Sequence, residues 1–208
     1  MKVVKHTNSI FKSNSYVLID GTDCWIIDVG DCKDILQIVQ GLDLKGVFLT
    51  HVHYDHIYGL NKLANTIDGF RVYTNLAGQK ALMDPIENLS FFHDDPFTFA
   101  YPERLVTVDD NQSVLLTSET SIQALFTPGH SETCITWFIN DSIFTGDSLI
   151  PGIKTVVKLP GGDHLKSVES EQNILALAQD KHIYSGHSTH NADTILSEGD
   201  HSQYRVIR

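Results

Sequence analysis

The sequence predicts an α/β (α+β) protein with two mixed β-sheets packed face to face and helices on the outside. Its 208 residues fall into two halves in which strands come first and helices follow. Runs of β-branched and aromatic residues indicate the strands, and apolar residues three or four positions apart indicate the helices. With 41% hydrophobic residues and no linker-like stretch, the chain is expected to form a single domain over residues 1–208.

The first half carries five predicted strands and three predicted helices. The strands lie near residues 3–7, 16–19, 24–27, 46–49 and 71–73, and the helices lie near 33–40, 58–65 and 76–83. The first strands follow one another as hairpins, and the later strands alternate with helices. This order is typical of a sheet that mixes antiparallel and parallel pairs.

The second half begins near Leu105 and repeats that order. Its predicted strands lie near residues 105–108, 114–116, 122–126, 133–138 and 142–145, followed by a helix near 167–178 and a strand near 182–184.

Residues 84–104 separate the halves and show neither a helical nor a strand period. Two interpretations stay open for this insertion: a lid over an apolar substrate, or a loop pinned to the core or to a second copy in a homo-oligomer. Both rest on its five aromatic residues, which are Phe91, Phe92, Phe97, Phe99 and Tyr101.

Composition excludes several classes of partner. A formal net charge of -11 argues against nucleic acid and anionic membranes, which need a basic patch. No apolar stretch is long enough to span a bilayer, and residues 1–6 do not resemble a signal peptide, so we expect a cytoplasmic protein. The three cysteines lack CxxC spacing, and Cys24 and Cys134 lie in strand-like runs that predict buried thiols.

A cluster of metal-ligand residues follows the predicted strand 46–49. His51, His53, Asp55 and His56 occupy four of six consecutive positions. Imidazole and carboxylate are ligands of zinc and of related divalent metals. A solvated histidine-rich tract would lack the interleaved aspartate, the preceding strand and the following helix. The cluster therefore predicts a metal site on a loop at the carboxyl end of a strand.

Three further strand ends carry a potential ligand directly after a glycine. They are His130 in Thr127-Pro128-Gly129-His130, Asp147 in Thr145-Gly146-Asp147 and His187 in Ser185-Gly186-His187. Each alone is a commonplace turn. Together with the first cluster, they predict a larger metal centre.

These motifs resemble the metallo-β-lactamase fold superfamily of metallohydrolases, and are most similar to its glyoxalase II (hydroxyacylglutathione hydrolase) branch. The matching positions run from Asp28 in Ile27-Asp28-Val29-Gly30 to His187. The resemblance implies a four-layer αββα sandwich with a binuclear metal site. It places His51, His53 and His130 on one metal and Asp55, His56 and His187 on a second. Asp147 would bridge the two metals, and Asp28 would hold the ligand loop by hydrogen bonds.

The implied reaction is acyl hydrolysis of a small thioester or ester. A hydroxide bridging two divalent ions would attack the carbonyl carbon, with Asp55 orienting it or accepting its proton and Asp28 acting in support. Zinc is the favoured metal, with iron or manganese as alternatives. Lys154 and Lys158 are candidate anchors for a substrate carboxylate, or ordinary solvated lysines.

The chain also departs from the glyoxalase II pattern. About twenty residues follow His187, too few for the helical domain that contributes to glutathione binding in that branch, and residues 148–153 lack its Gly-Arg element. Glutathione specificity is therefore not expected. The alternatives are a mononuclear iron oxygenase similar to persulfide dioxygenases, a lactonase or phosphodiesterase of the same fold, and a metal-binding module without catalysis.

Overall fold

The computed structural model describes residues 1–188 and 194–195, which belong to two compact units. The first unit is Met1–Val108, and the second begins at Asp109. Each unit contains one six-stranded mixed β-sheet.

In the sheet of the first unit, two antiparallel strand pairs are followed by three parallel pairs. Its strands are β1 (Lys2–Thr7), β2 (Asn14–Asp20), β3 (Asp23–Ile27), β4 (Asp43–Phe48), β5 (Arg71–Thr74) and β6 (Leu105–Thr107), in that spatial order. Pairs β1–β2 and β2–β3 are antiparallel, and β3 to β6 run parallel to one another. Parallel neighbours need crossover connections. These contain α1 (Cys32–Ile38), α2 (Tyr54–Ile57), α3 (Leu60–Thr66) and α4 (Leu76–Ala81).

The second unit has mostly antiparallel strands and one long helix. Its strands are β7 (Ser113–Leu115), β8 (Ser121–Phe126), β9 (Ile135–Ile139), β10 (Ser142–Gly146), β11 (His182–Ser185) and β12 (Thr194–Ile195), and α5 (His164–Leu177) lies between β10 and β11. The spatial order is β12-β11-β10-β9-β8-β7, and only β10 and β11 pair in parallel. Ile174 of α5 is buried with Ile143 of β10 and Ile183 of β11.

Two element boundaries differ from the sequence predictions. The strand at Leu105 was expected to open the second half, but β6 pairs with β5 and completes the first sheet. The helix expected over 58–65 is α3, which begins at Leu60, and the separate short helix α2 precedes it. The helical ladder is interrupted between the two helices, because the Gly59 amide donates to the Val29 carbonyl at 3.1 Å and not to the Asp55 carbonyl.

The aromatic insertion divides into a buried part and an exposed part. Phe97 and Phe99 are buried in the core of the first unit, as the pinned-loop interpretation requires. Phe91 and Phe92 lie on a short 3-10 helix (Ser90–Phe92) and are 60% and 74% exposed. The lid interpretation therefore concerns only the exposed pair, for which it stays a prediction.

All three cysteines are buried, as predicted for Cys24 and Cys134. Burial, with the carboxylate of Asp43 nearby, raises the pKa of the Cys24 thiol to about 11, which keeps it protonated and unreactive. Over residues 1–188 and 194–195, no helix has the length and hydropathy needed to cross a bilayer.

The N-terminus of α5 offers a test of local stability. The Asp163 side chain accepts hydrogen bonds from the amides of Leu165 (2.8 Å) and Lys166 (3.1 Å), and so caps the helix. We expect Asp163→Ala to lower the free energy of unfolding by about 1 kcal/mol, and Asp163→Asn to lower it by less, because asparagine also caps. Urea denaturation measures both. Glu169→Ala, an exposed change within the same helix, is the control; equal losses in the Asp163→Ala and Glu169→Ala variants would contradict the capping role.

Candidate metal centre

The sheet of the first unit brings Asp28 and the ligand segment 50–56 to one edge. Asp28 directly follows β3, and Thr50 is the second residue after β4. Because β3 and β4 are parallel, their carboxyl ends lie side by side. The first cluster is defined here as His51, His53, Asp55 and His56. Asp28 is not a member of it but contacts His56.

Asp28 is a buried carboxylate that accepts three hydrogen bonds. Its Oδ1 accepts from the Thr50 amide at 2.7 Å, and its Oδ2 accepts from Thr50 Oγ1 at 2.6 Å and pairs with His56 Nδ1 at 2.9 Å. Burial raises the pKa of this carboxyl group, and the His56 and Thr50 bonds act in the opposite direction. With both oxygens engaged by donors, Asp28 is suited to support the ligands rather than to bind an ion.

The imidazoles of the first cluster pack against one another. The ring centroids of His51 and His56 are 4.2 Å apart, and those of His51 and His53 are 4.7 Å apart. All three rings are buried, and His56 Nε2 lies 3.4 Å from Asp55 Oδ2.

The second unit gathers His130, Asp147 and His187, defined here as the second cluster. Strands β8 and β10 run in the same direction because both are antiparallel to β9, and β11 is parallel to β10. Each of the three residues follows the carboxyl end of one of these strands. Asp147 Oδ2 lies 3.6 Å from His130 Nε2 and 3.3 Å from His187 Nε2. The structure thus brings together all three residues that the glycine-containing strand ends predicted.

A backbone carbonyl fixes the tautomer of His130. Its Nδ1 lies 2.7 Å from the carbonyl oxygen of Val156, which can only accept, so Nδ1 carries the hydrogen. The neutral ring then presents the lone pair of Nε2 towards Asp147. His56 is held in the same way, with Nδ1 on the Asp28 carboxylate and Nε2 towards Asp55. This arrangement is typical of metal-binding histidines, whose other ring nitrogen donates to a carboxylate or carbonyl.

The donor set fits a divalent metal. In each cluster an imidazole lone pair faces a carboxylate oxygen, and two such acceptors repel each other unless a cation lies between them. Nitrogen and oxygen ligands at ordinary tetrahedral zinc distances lie roughly 3.4 Å apart. The three Nε2 to Oδ2 separations are 3.3, 3.4 and 3.6 Å, which matches this spacing.

Sequence patterns missed part of this arrangement. Asp55 and His56 were expected on a loop, but they lie in α2, one helical turn. Thr50 and the Val156 carbonyl orient ligand residues, yet a threonine next to a ligand motif carries little signal and a carbonyl carries none. Lys154 and Lys158 are exposed, and their role as substrate anchors stays a prediction.

Comparisons with known proteins agree with one another. The family model described as Metallo-beta-lactamase superfamily matches residues 9–187. The chain is 28% identical to the Probable metallo-hydrolase YqgX of Bacillus subtilis, over 93% of this chain and 92% of that protein. It is 26% identical to the hydroxyacylglutathione hydrolase of Buchnera aphidicola, over 90% of this chain and 66% of that enzyme. The crystal structure of the B3 metallo-beta-lactamase BLEG-1 covers 93% of both chains, with 27% identity and a TM-score of 0.82.

The structural likeness confirms the predicted fold class, an α/β protein with two mixed β-sheets and helices. The likeness to named metallohydrolases, together with the donor sets of the two clusters, implies that the chain binds divalent metal.

The support role of Asp28 can be tested by Asp28→Asn. The amide keeps the size of the side chain, and asparagine tolerates the positive φ of 58° at this position. Its NH2 group would face a donor, so we expect divalent-metal affinity to fall by about 10- to 100-fold while the fold is kept. Zinc titration against a competing chelator measures this. Asp20→Asn, at an exposed position in β2, should leave the affinity unchanged; an unchanged affinity in Asp28→Asn would contradict the role.

Proposed function

Because the chain belongs to the metallo-beta-lactamase superfamily, we propose that its two ligand clusters complete one binuclear centre that hydrolyses a small thioester or ester. The first metal would be held by His51, His53 and His130, and the second by Asp55, His56 and His187. Asp147 would bridge them. Zinc is the metal best suited to this imidazole-rich donor set, with iron or manganese as alternatives.

The position of Asp147 is the main observation that supports a binuclear centre. One oxygen, Oδ2, lies 3.3 Å from His187 Nε2 and 3.6 Å from His130 Nε2. These two histidines belong to different metals in the proposed assignment. A carboxylate between them supports a bridging role, because it would reduce the repulsion between two dications held close together.

The residues of the centre have distinct tasks in the proposed reaction. Bound divalent ions supply the chemistry, by lowering the pKa of water towards about 7 and by polarising a carbonyl oxygen. Asp55 would orient the attacking water and accept its proton. Asp28 and the Val156 carbonyl keep His56 and His130 in one tautomer, so that each presents Nε2 to its ion. No serine or cysteine nucleophile is needed.

The acyl substrate is proposed from the relatives. Hydroxyacylglutathione is a thioester, and the Buchnera hydrolase named for it is 26% identical over 90% of this chain. The chain spans 66% of that enzyme, so we propose the thioester or ester bond as the target and leave glutathione out of the proposal.

A second candidate reaction is β-lactam hydrolysis. The B3 metallo-beta-lactamase BLEG-1 is 27% identical over 93% of this chain, with a TM-score of 0.82. A β-lactam amide is also an acyl bond, and attack on its carbonyl would use the same residues in the same roles.

The proposal predicts metal-dependent hydrolysis that both clusters must support. The zinc-loaded protein should cleave a small acyl thioester or an aryl ester, and chelation should abolish this cleavage. His53→Ala and Asp147→Ala should each lower kcat/KM by at least about 100-fold, beyond the usual effect of residues that only support a ligand. His182→Ala, an exposed histidine in β11, should match the wild type.

Several results would contradict this proposal. Full metal content and full activity in His53→Ala or Asp147→Ala would exclude the assigned centre. One iron per chain, with oxygen uptake on glutathione persulfide, would favour the oxygenase. If only lactones, phosphodiesters or β-lactams are hydrolysed, that bond replaces the thioester or ester as the proposed target. Metal binding without any turnover would indicate a non-catalytic module.

A further inference from the structure

Two proposed ligands, Asp55 and His56, lie on a helix too short to be stable by itself. Helix α2 covers four residues, and its one turn is closed by the bond from the Tyr58 amide to the Tyr54 carbonyl, 2.9 Å. Nucleation of a single turn is unfavourable, so an isolated turn in water is mostly unfolded. The geometry of these two ligands must therefore come from contacts outside the helix.

Two donors from other parts of the first unit bond to the carbonyls of α2. The Val29 amide donates to the His56 carbonyl at 2.8 Å, and Ser13 Oγ donates to the Asp55 carbonyl at 2.7 Å. In a longer helix the Gly59 amide would bond to Asp55, but here it donates to the Val29 carbonyl at 3.1 Å. Ser13 thus supplies a donor at the position where the helical ladder ends.

A buried polar network holds Ser13 in place. The side-chain Nδ2 of Asn8 donates to Ser13 Oγ at 3.1 Å and to Ser15 Oγ at 3.0 Å. The backbone amide of Asn8 donates to the Ser13 carbonyl at 2.7 Å. Asn8, Ser13 and Ser15 are fully buried. A Cβ on Gly30 would lie 2.2 Å from Asn8 Cγ, so the network packs directly against the turn after β3.

The turn that Ser13 ends is conformationally costly. Phe11 and Lys12, the two residues before it, have φ values of 49° and 57°, in the left-handed region that side chains disfavour. Such a turn persists only when its surroundings over-determine it, and these outliers are concentrated at functional sites. The bonds of Asn8 and Ser13 provide that constraint.

We propose that Ser13 is a positioning residue for the metal ion held by Asp55 and His56, and that it couples this ion to the β1–β2 turn. The inference rests on the proposed metal centre. The hydroxyl fixes the Asp55 backbone, and so fixes the direction of the two ligand side chains. Because coupling between two sites is reciprocal, ion binding also stabilises the Asn8–Ser13 turn.

Ser13→Ala tests the positioning role. We expect it to lower the affinity for one of the two zinc ions by about 10- to 100-fold and to leave the affinity for the other unchanged. Competition with a chelator measures both affinities. The cobalt-substituted protein should show altered visible absorption at the weakened site. Ser90→Ala is the matched control, because Ser90 is also fully buried in the first unit and its hydroxyl donates to a backbone carbonyl, that of Phe97.

The outcomes separate positioning from a purely structural role. If Ser13→Ala and Ser90→Ala lower the urea midpoint alike and both keep wild-type affinities and cobalt spectra, the positioning role is overturned. If the wild type binds no divalent metal, the proposed centre fails first and this inference fails with it. Wild-type turnover with unchanged zinc affinity in Ser13→Ala overturns this inference alone.

Limited trypsin digestion of the wild-type protein provides a test that needs no variant. Lys12 is exposed, and the bond that trypsin cuts is Lys12–Ser13. Zinc should slow cleavage there by several-fold relative to cleavage after Lys80, an exposed residue at the end of α4. Equal slowing at both positions would show that zinc stabilises the whole unit without the proposed coupling, and would overturn it even if Ser13→Ala does not fold.

Discussion

The first cluster depends on the hydrogen bonds that the buried Asp28 carboxylate accepts. This carboxylate lies where two parallel strands end, and it joins them by accepting from the Thr50 amide, the Thr50 hydroxyl and His56 Nδ1. A buried charge of this kind is costly unless it is fully hydrogen-bonded or near a cation. Asp28 satisfies the first condition through its own unit, and a divalent ion beyond His56 would satisfy the second. The same carboxylate therefore connects the two strand ends and orients the His56 ring.

The two clusters orient their imidazole rings in the same way but through different hydrogen-bond acceptors. Each presents imidazole Nε2 to a carboxylate by engaging Nδ1 with an acceptor: a side chain for His56 and a main-chain carbonyl for His130. Each also relies on strand direction, since β3 and β4 in one sheet, and β8, β10 and β11 in the other, carry their polar residues at carboxyl ends. The strand directions bring the residues of each cluster to one edge of a sheet, and the hydrogen bonds of Nδ1 orient the rings of His56 and His130.

The sequence predicted most strands and pointed to the residues of the two clusters, because both have strong local signals. β-branched runs identify strands, and histidine and aspartate directly after glycine identify strand ends. It failed where tertiary contacts decide. Helix α2 ends where the Gly59 amide bonds to the Val29 carbonyl, and β6 joins the first sheet through pairing with β5. The Ser13 bond to Asp55 joins residues 42 positions apart, and no local pattern records it.

The bond from His130 to the Val156 carbonyl has a consequence for how this protein can change. Val156 contributes only its main chain to that bond, and the residue is 51% exposed. Lys154 and Lys158, two positions to either side, are also exposed. Side chains in this segment can therefore vary without removing the acceptor that orients the histidine. Mutation can therefore change the surface of this segment while the orientation of His130 is kept, so this part of the chain can vary without disturbing the second cluster.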